Sequence, residues 1–195
     1  MGDHLPDLDP AGVALVNTLG GVHAEHLALP TPCQDWTVQD LIAHVDGLTQ
    51  AFTAAADKDF GPWTDTDPQQ QSRDLAPGWA ARIPRTVETL VRAWHRPEAW
   101  TGQTRAGGVD LPGEVAGLVA LNEVVLHDWD LARATGLGYD VNHATTAAAL
   151  GFVDEFDDAG SEGMFGPARP VPDDADTLDR ALALSGRDPR WEPTG

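Results

Sequence analysis

The chain has 195 residues, of which 12 are basic and 31 acidic, giving a formal net charge of −19 at pH 7. A surface this negative repels nucleic acids and anionic lipids, so both are excluded as expected partners. No apolar run approaches the roughly 18 residues needed to cross a membrane, and the first ten residues lack the basic and apolar regions of a signal peptide. We therefore expect a cytoplasmic protein, and its single cysteine, Cys33, fits a reducing compartment.

Two helices are predicted in the first third of the chain, each from its start signal. For the first helix, Asp9 is the predicted N-cap with Pro10 at the first helical position, and the apolar residues at helical spacing are Val13, Val16, Leu19 and Val22. For the second, Thr37 is the predicted N-cap, and Asp40 three residues later forms an acidic version of the capping box. His44 lies at the edge of the second helix's apolar stripe, Leu41, Val45, Leu48 and Phe52.

A third helix is indicated between two stretches that read as irregular structure, residues 57–78 and 97–112. Its apolar residues at spacings of three and four are Trp79, Ile83, Val87, Leu90 and Trp94. Pro84 interrupts this pattern, so the helix either begins there or is kinked there.

The fourth predicted helix spans residues 113–135 and ends at Gly136. Its apolar residues cover most of the circumference, which is typical of a central helix. A fifth helix follows Asn142, residues 160–172 read as loop, and a short last helix spans 176–184 and ends at Gly186. The prediction is one mainly all-α domain over residues 1–195, built on at least four mostly antiparallel helices, with residues 160–195 as a loop-rich C-terminal extension packed on it.

Two polar residues on the central helix carry the functional hypothesis. Glu123 and His127 are four residues apart, so their side chains leave one face about one turn from each other and can reach the same metal ion. His44 supplies a third ligand if the second and fourth helices are neighbours. Three protein ligands leave an open coordination position, as in catalytic zinc sites, and a cation offsets the cost of burying a carboxylate.

Simpler interpretations compete with this one. Glu123 and His127 at this spacing also form plain hydrogen-bonded or surface pairs. His23 and His26, three apart near the end of the first helix, are a second candidate chelating pair. Cys33 lies before the positive end of the second helix, which lowers thiol pKa values, but we expect a small buried hydrophobic residue rather than a nucleophile.

Three segments resemble a known family. They are TPCQDWTV (31–38) with LIAHV (41–45), NEVVLHDWDLARATG (122–136), and the tail with PDDA (172–175) and GRDP (186–189). The chain is similar to DinB-like proteins and, more narrowly, to the actinobacterial branch related to mycothiol-dependent maleylpyruvate isomerase. The resemblance implies an up-and-down four-helix bundle with extra short helices and long loops. It also implies a metal site made by His44, Glu123 and His127.

The same resemblance implies a cofactor set and a reaction class. Zinc is the metal most often implied, although a His-Glu-His set also suits nickel, iron or cobalt. Mycothiol or another low-molecular-weight thiol would be deprotonated at the open site and attack a small electrophilic substrate, as in a thiol transferase or isomerase. Asp130 would orient a ligand from outside the coordination sphere. Arg82, Arg85 and Arg187 are candidates for binding an acidic substrate.

Two other functions stay open at this stage. In a metal-dependent hydrolase a bound water would attack the substrate, with Asp130 the nearest candidate base. In a non-enzymatic structural module the ion would only tie the second and fourth helices together. The oligomeric state is also open, with a homodimer as one option.

Overall fold

A computed structural model describes residues 5–70, 72–161 and 163–193, so both ends of the predicted 1–195 domain lie outside the described residues. The described residues form seven α-helices and one two-stranded antiparallel sheet. The helices are α1 (Asp9–Gly21), α2 (Val38–Asp57), α3 (Pro62–Asp65), α4 (Trp79–Trp94), α5 (Gly113–Thr135), α6 (His143–Val153) and α7 (Thr177–Leu184); the strands, between α4 and α5, are β1 (Gln103–Ala106) and β2 (Val109–Pro112). The predicted mainly helical fold is confirmed.

The predicted N-cap residue is confirmed for α2, whereas the N-cap of α1 lies one residue before the predicted one. Thr37 caps α2 as predicted, because its Oγ1 accepts the Asp40 N–H and Asp40 Oδ2 accepts the Thr37 N–H. In α1, however, Asp9 is the first helical residue rather than the N-cap, and its N–H donates to Asp7 Oδ1 at 2.9 Å. The buried face of α1 differs in turn: Leu15 and Leu19 are buried, whereas Val13 is 61% exposed.

The two stretches predicted as irregular contain regular structure. Residues 57–78 include α3 and a 3-10 turn at Pro68–Gln70, and residues 97–112 include a 3-10 turn at Pro97–Trp100 and the β1–β2 hairpin. Gly107 and Gly108 join the strands with φ angles of 59° and 80°, the left-handed conformation that a two-residue hairpin turn demands. Pro84 lies inside α4, which begins at Trp79, so the helix does not start at the proline.

The four long helices pack in a ring in which α2 contacts α4 and α5, and α1 contacts the same two helices. Cys33, before α2, contacts Asp130 near the end of α5, and Lys58, after α2, lies at Gly113 where α5 begins. The helices α2 and α5 are therefore antiparallel.

The helices α2 and α4 run parallel, which differs from a simple up-and-down arrangement. Asp46 pairs with Arg82 in the first half of α4, and Asp57, at the end of α2, pairs with Arg96 just beyond the end of α4. The connection over residues 57–78 is long enough to return the chain to the end where α2 began, so α4 starts beside the start of α2.

The central position predicted for α5 is confirmed. Buried residues occur on all sides of this helix, which contacts α1, α2, α6 and the hairpin. Beyond α5 the chain forms α6 and α7, which pack against each other, and α6 packs on α5. Within the described ranges, none of the helices has both the length and the apolar character that crossing a bilayer requires.

Candidate metal centre

The contact between α2 and α5 brings the three predicted ligands together. Glu123 Oε2 lies 3.0 Å from His127 Nε2 and 3.5 Å from His44 Nε2. One donor atom from each of the three side chains lies within 4.8 Å of the other two. The His44 and His127 rings meet edge to face, with centroids 4.9 Å apart. Two imidazole nitrogens and a carboxylate oxygen at this separation fit a divalent cation of the zinc type.

Each ligand reaches this point for a local reason. The one-turn spacing of Glu123 and His127 puts both side chains on the face of α5 that packs against α2. His44 is on α2, which runs antiparallel to α5 and is held at its start by the capping box. Only 12% of the His44 side chain and 23% of the Glu123 side chain are exposed, so the donors point into the protein and keep a narrow opening to solvent.

The charges of the three side chains differ because their surroundings differ. Burial lowers the pKa of His44, and the hydrogen bond with Glu123 only partly opposes this, so a lone pair on its ring is available near neutral pH. Burial would raise the pKa of Glu123, but hydrogen bonds from His127 and His44 outweigh it and hold that pKa well below its usual range. The site therefore carries a carboxylate anion.

His127 has an acidic partner on each side of its ring. Burial lowers its pKa, but hydrogen bonds with Asp130, Cys33 and Glu123 outweigh burial and raise the pKa well above its usual value. A proton on Nε2 then bridges to Glu123, at the place where a divalent cation would bind. A cation bound here would have to displace that proton, as is general for histidine ligands.

Asp130 lies behind His127 and contacts the ring nitrogen that faces away from the site. Its Oδ2 is 3.0 Å from His127 Nδ1, and Arg187 donates to both of its oxygens at 2.8–3.1 Å. Burial opposes ionisation of Asp130, but the charge of Arg187 and the His127 hydrogen bond lower the pKa to about 2. An ionised carboxylate only accepts, so Nδ1 carries the hydrogen and Nε2 faces the site.

Three neighbours of the site were not predicted from the sequence. The Trp36 ring packs edge to face on the His44 ring, with centroids 5.0 Å apart, and the exposed Arg73 guanidinium lies 4.5 Å from the Trp36 centroid. Cys33 is only partly buried, and its Sγ donates to Asp130 Oδ2 at 3.2 Å. Cys33 packs against the hydrophobic core, as expected, but it is only partly buried, and the turn before α2 also places its thiol beside the acidic groups of the site.

The arginines chosen from the sequence occupy other positions. Arg82 forms a salt bridge with Asp46 on α2, and Arg85 is exposed on α4. Arg187 forms a salt bridge with Asp130. Spacing along the chain contained no signal for Arg73, because its loop reaches the site only through tertiary packing.

The second histidine pair has a structural role. The His23 N–H donates to His26 Nδ1 at 3.1 Å, so His26 caps a 3-10 turn. Among the described residues, two other groups have suitable donors. One is Cys33 with His127 and Asp130, which shares the same histidine, and the other is the exposed surface set Asp7, Asp9 and His95.

Comparison with known proteins agrees with this architecture. The sequence model of the mycothiol maleylpyruvate isomerase N-terminal domain family matches residues 8–132, which include all three candidate ligands. The chain belongs to this family. The chain is also similar to uncharacterised proteins from two strains of Mycobacterium tuberculosis, CDC 1551 and H37Rv. Each is 28% identical over 179 residues, covering 89% of this chain and 92% of the relative.

Solved structures of the mycothiol-dependent maleylpyruvate isomerase share the family fold. One matches with a TM-score of 0.53 at 20% identity, and a histidine-to-alanine variant matches with a TM-score of 0.50 at 17% identity. Each alignment covers 75% of this chain and 68% of the solved chain. These similarities establish the DinB-like fold. Residues after 132, including Arg187, lie outside the segment matched by the family model.

Proposed function

We propose that the protein binds one divalent metal ion, zinc in the first instance, through His44, Glu123 and His127, and is a thiol-dependent transferase or isomerase acting on a small electrophile. The observation that carries this proposal is the convergence of three donor atoms from two helices within 4.8 Å. Mycothiol is the thiol named for the family and for the solved enzymes of the same fold. It is therefore the first cofactor to test.

Each residue of the site has a separate role in this chemistry. A divalent ion held by these residues would supply a Lewis acid that favours the thiolate form of a bound thiol. His44 and His127 would hold the ion through neutral ring nitrogens, and Glu123 would supply one compensating negative charge. Asp130 holds the His127 ring so that Nε2 faces inward. The buried surroundings limit competition from water.

A positive charge close to the site suits an anionic reactant. The Trp36 ring packs on His44, and the exposed Arg73 guanidinium lies over the Trp36 ring. Arg73 forms no salt bridge in the described parts of the chain. Its guanidinium is available to a carboxylate on the thiol or the electrophile.

The hydrolase alternative has less support, because its general base is occupied. Asp130 was the candidate base, but its side chain is fully buried and accepts hydrogen bonds from His127 and Arg187. A carboxylate held in this way positions a ligand rather than removing a proton from water. The remaining alternative is a structural metal site without chemistry.

Elemental analysis tests the metal site. We expect about one zinc per chain in the wild-type protein after reconstitution, and loss of that metal in His127→Ala, because two donor atoms bind zinc far more weakly than three. His23→Ala is the matched control, since it removes a surface histidine outside the site and retains the metal. Absence of metal from the wild-type protein, or full metal occupancy in His127→Ala, contradicts the proposal.

Cobalt substitution separates the enzyme from the structural module. Co²⁺ bound by His44, Glu123 and His127 absorbs weakly in the visible, and a thiol entering its open position adds an intense sulfur-to-metal charge-transfer band. We expect mycothiol to produce that band in the wild-type protein and in Cys33→Ser, which excludes the chain's own thiol as its source. A spectrum that thiols leave unchanged indicates a closed, structural site.

A further inference from the structure

Arg187 reaches the candidate site from the C-terminal segment of the chain. The helix α7 ends at Leu184, and the chain then turns at Ser185 and Gly186. Arg187 follows this turn and contacts α5. Gly186 has a φ of 87°, and a Cβ there would lie 2.7 Å from the Cα of Gly166. Only glycine fits both conditions, so the backbone before Arg187 is tightly constrained.

The guanidinium of Arg187 contacts both oxygens of one carboxylate. Its Nε lies 2.9 Å from Asp130 Oδ1 and its Nη2 lies 2.8 Å from Asp130 Oδ2, while Nη1 donates to Ser185 Oγ at 3.2 Å. The Arg187 side chain is 13% exposed and the Asp130 side chain 0% exposed. These two hydrogen bonds, from Nε and Nη2, are called the Arg187 fork. The fork fixes the plane of the Asp130 carboxylate in a place where water competes little for the same hydrogen bonds.

The same carboxylate oxygen reaches the predicted ligand His127. Asp130 Oδ2 is 3.0 Å from His127 Nδ1 and 2.8 Å from Arg187 Nη2. The orientation of the imidazole depends on Asp130, and the orientation of Asp130 depends on Arg187. The chain of contacts Arg187–Asp130–His127 leads from the C-terminal segment to the three converging donors.

We propose that Arg187 is a positioning residue of the metal centre, which tightens metal binding by holding Asp130 in the orientation that directs His127 Nε2 into the site. This inference rests on the proposed metal binding by His44, Glu123 and His127. It makes the C-terminal segment a functional part of the site, although that segment lies outside the family-matched residues 8–132. It also replaces the role in substrate binding that the sequence indicated for Arg187.

The test compares two arginines that tie the same segment to α5. Arg187→Met removes the fork on Asp130. Arg133→Met is the matched control, because Arg133 donates to the Trp191 carbonyl oxygen and, among the described residues, forms no hydrogen bond or ion pair with Asp130. The dissociation constant of Co²⁺ is measured at one pH by chelator competition in the full-length protein, together with the visible Co²⁺ spectrum at saturation and the unfolding temperature without metal.

We expect Arg187→Met to weaken Co²⁺ binding by about 10- to 100-fold and to alter the spectrum, as loss of an outer-sphere partner typically does. Arg133→Met should change the affinity by less than about threefold. In an Asp130→Asn background, Arg187→Met should have little further effect, because both act through the same hydrogen bond. A lower unfolding temperature with wild-type affinity and spectrum would show a merely structural role and overturn the proposal.

Arg187→Lys keeps the inference testable if Arg187→Met does not fold. Lysine preserves the positive charge beside Asp130 but lacks the planar fork, so we expect folding with about tenfold weaker Co²⁺ binding. Wild-type affinity in Arg187→Lys overturns the role of the fork. A wild-type protein that binds no Co²⁺ overturns the metal site itself, whereas wild-type binding unaffected by any Arg187 variant overturns this inference alone.

Discussion

At the scale of single residues, two aspartates on α5 show that surroundings determine the charge of a carboxyl. Asp130 is paired with Arg187 and His127, which lower its pKa to about 2 against the effect of burial. Asp128 is equally buried, and neither of its oxygens has a hydrogen-bond partner in the part of the chain that the structure describes. The nearby Thr18 hydroxyl donates to the Ala14 carbonyl within its own helix. Burial therefore raises the pKa of Asp128 to about 7.

This difference predicts how stability changes with pH. A carboxyl whose pKa is about 7 in the folded state and near 3.8 when unfolded stabilises the folded state at low pH. That contribution is lost as pH rises toward 7 and beyond. We expect wild type to lose on the order of 2–4 kcal/mol of unfolding free energy relative to Asp128→Asn between pH 4.5 and 8.5.

Urea unfolding across this pH range, with a chelator present, measures the effect. Asp140→Asn, at an exposed position, controls for the loss of one negative charge. Parallel pH curves for wild type and Asp128→Asn would show that no buried carboxyl titrates at this position.

At the scale of elements, close packing of α5 depends on a position without a side chain. A Cβ on Gly117 would lie 2.5 Å from the ring of Trp100, and the Trp100 Nε1 donates to the Trp94 carbonyl oxygen. The indole is therefore held by a buried hydrogen bond and cannot move aside easily. This contact packs the first half of α5 closely against Trp100.

We expect Gly117→Ala to lower the unfolding free energy by about 1–3 kcal/mol, the usual effect of overpacking a core. Gly151→Ala on α6 is the control, because a Cβ there meets nothing within 4 Å. The control should be stabilised by about 0.5–1 kcal/mol, since alanine favours helix over glycine. Thermal and denaturant unfolding of both variants measure the difference, and equal stabilisation of the two would contradict close packing at Gly117.

At the scale of the whole molecule, a bound metal would connect distant parts of the chain. His44 and Glu123 are 79 residues apart in sequence and meet only in the folded protein. A cation that binds these donors therefore binds the folded state and stabilises it. At a free metal concentration 100 times its dissociation constant, the stabilisation is about 2.7 kcal/mol.

Chelation should reverse that stabilisation. We expect EDTA to lower the unfolding temperature of the zinc-loaded protein by about 5–10 °C, as this free energy implies for a chain of this size. Glu123→Gln keeps the size of the side chain but removes a charged ligand, so its unfolding temperature should be insensitive to zinc and EDTA. Identical unfolding of the wild-type protein with zinc and with EDTA would contradict the link between metal and fold.

Sequence reasoning succeeded where the deciding interactions are local. The cap of α2 at Thr37, the end of α5 at Gly136 and the start of α6 at Asn142 depend on residues within one turn. The spacing of Glu123 and His127 likewise places both on one face before any tertiary contact forms. The hairpin was missed although Gly107 and Gly108 are a recognised signal, because its strands are short.

The sequence by itself determined the long helices, the central role of α5 and the type of donor atoms available. Only the tertiary structure decided that His44 lies against Glu123 and His127, that α2 and α4 run parallel, and that Arg187 pairs with Asp130. The physical reason is the distance along the chain over which the deciding interactions act. Caps and helical faces are set by hydrogen bonds over three or four residues, whereas these contacts depend on how buried surfaces far apart in the chain pack together.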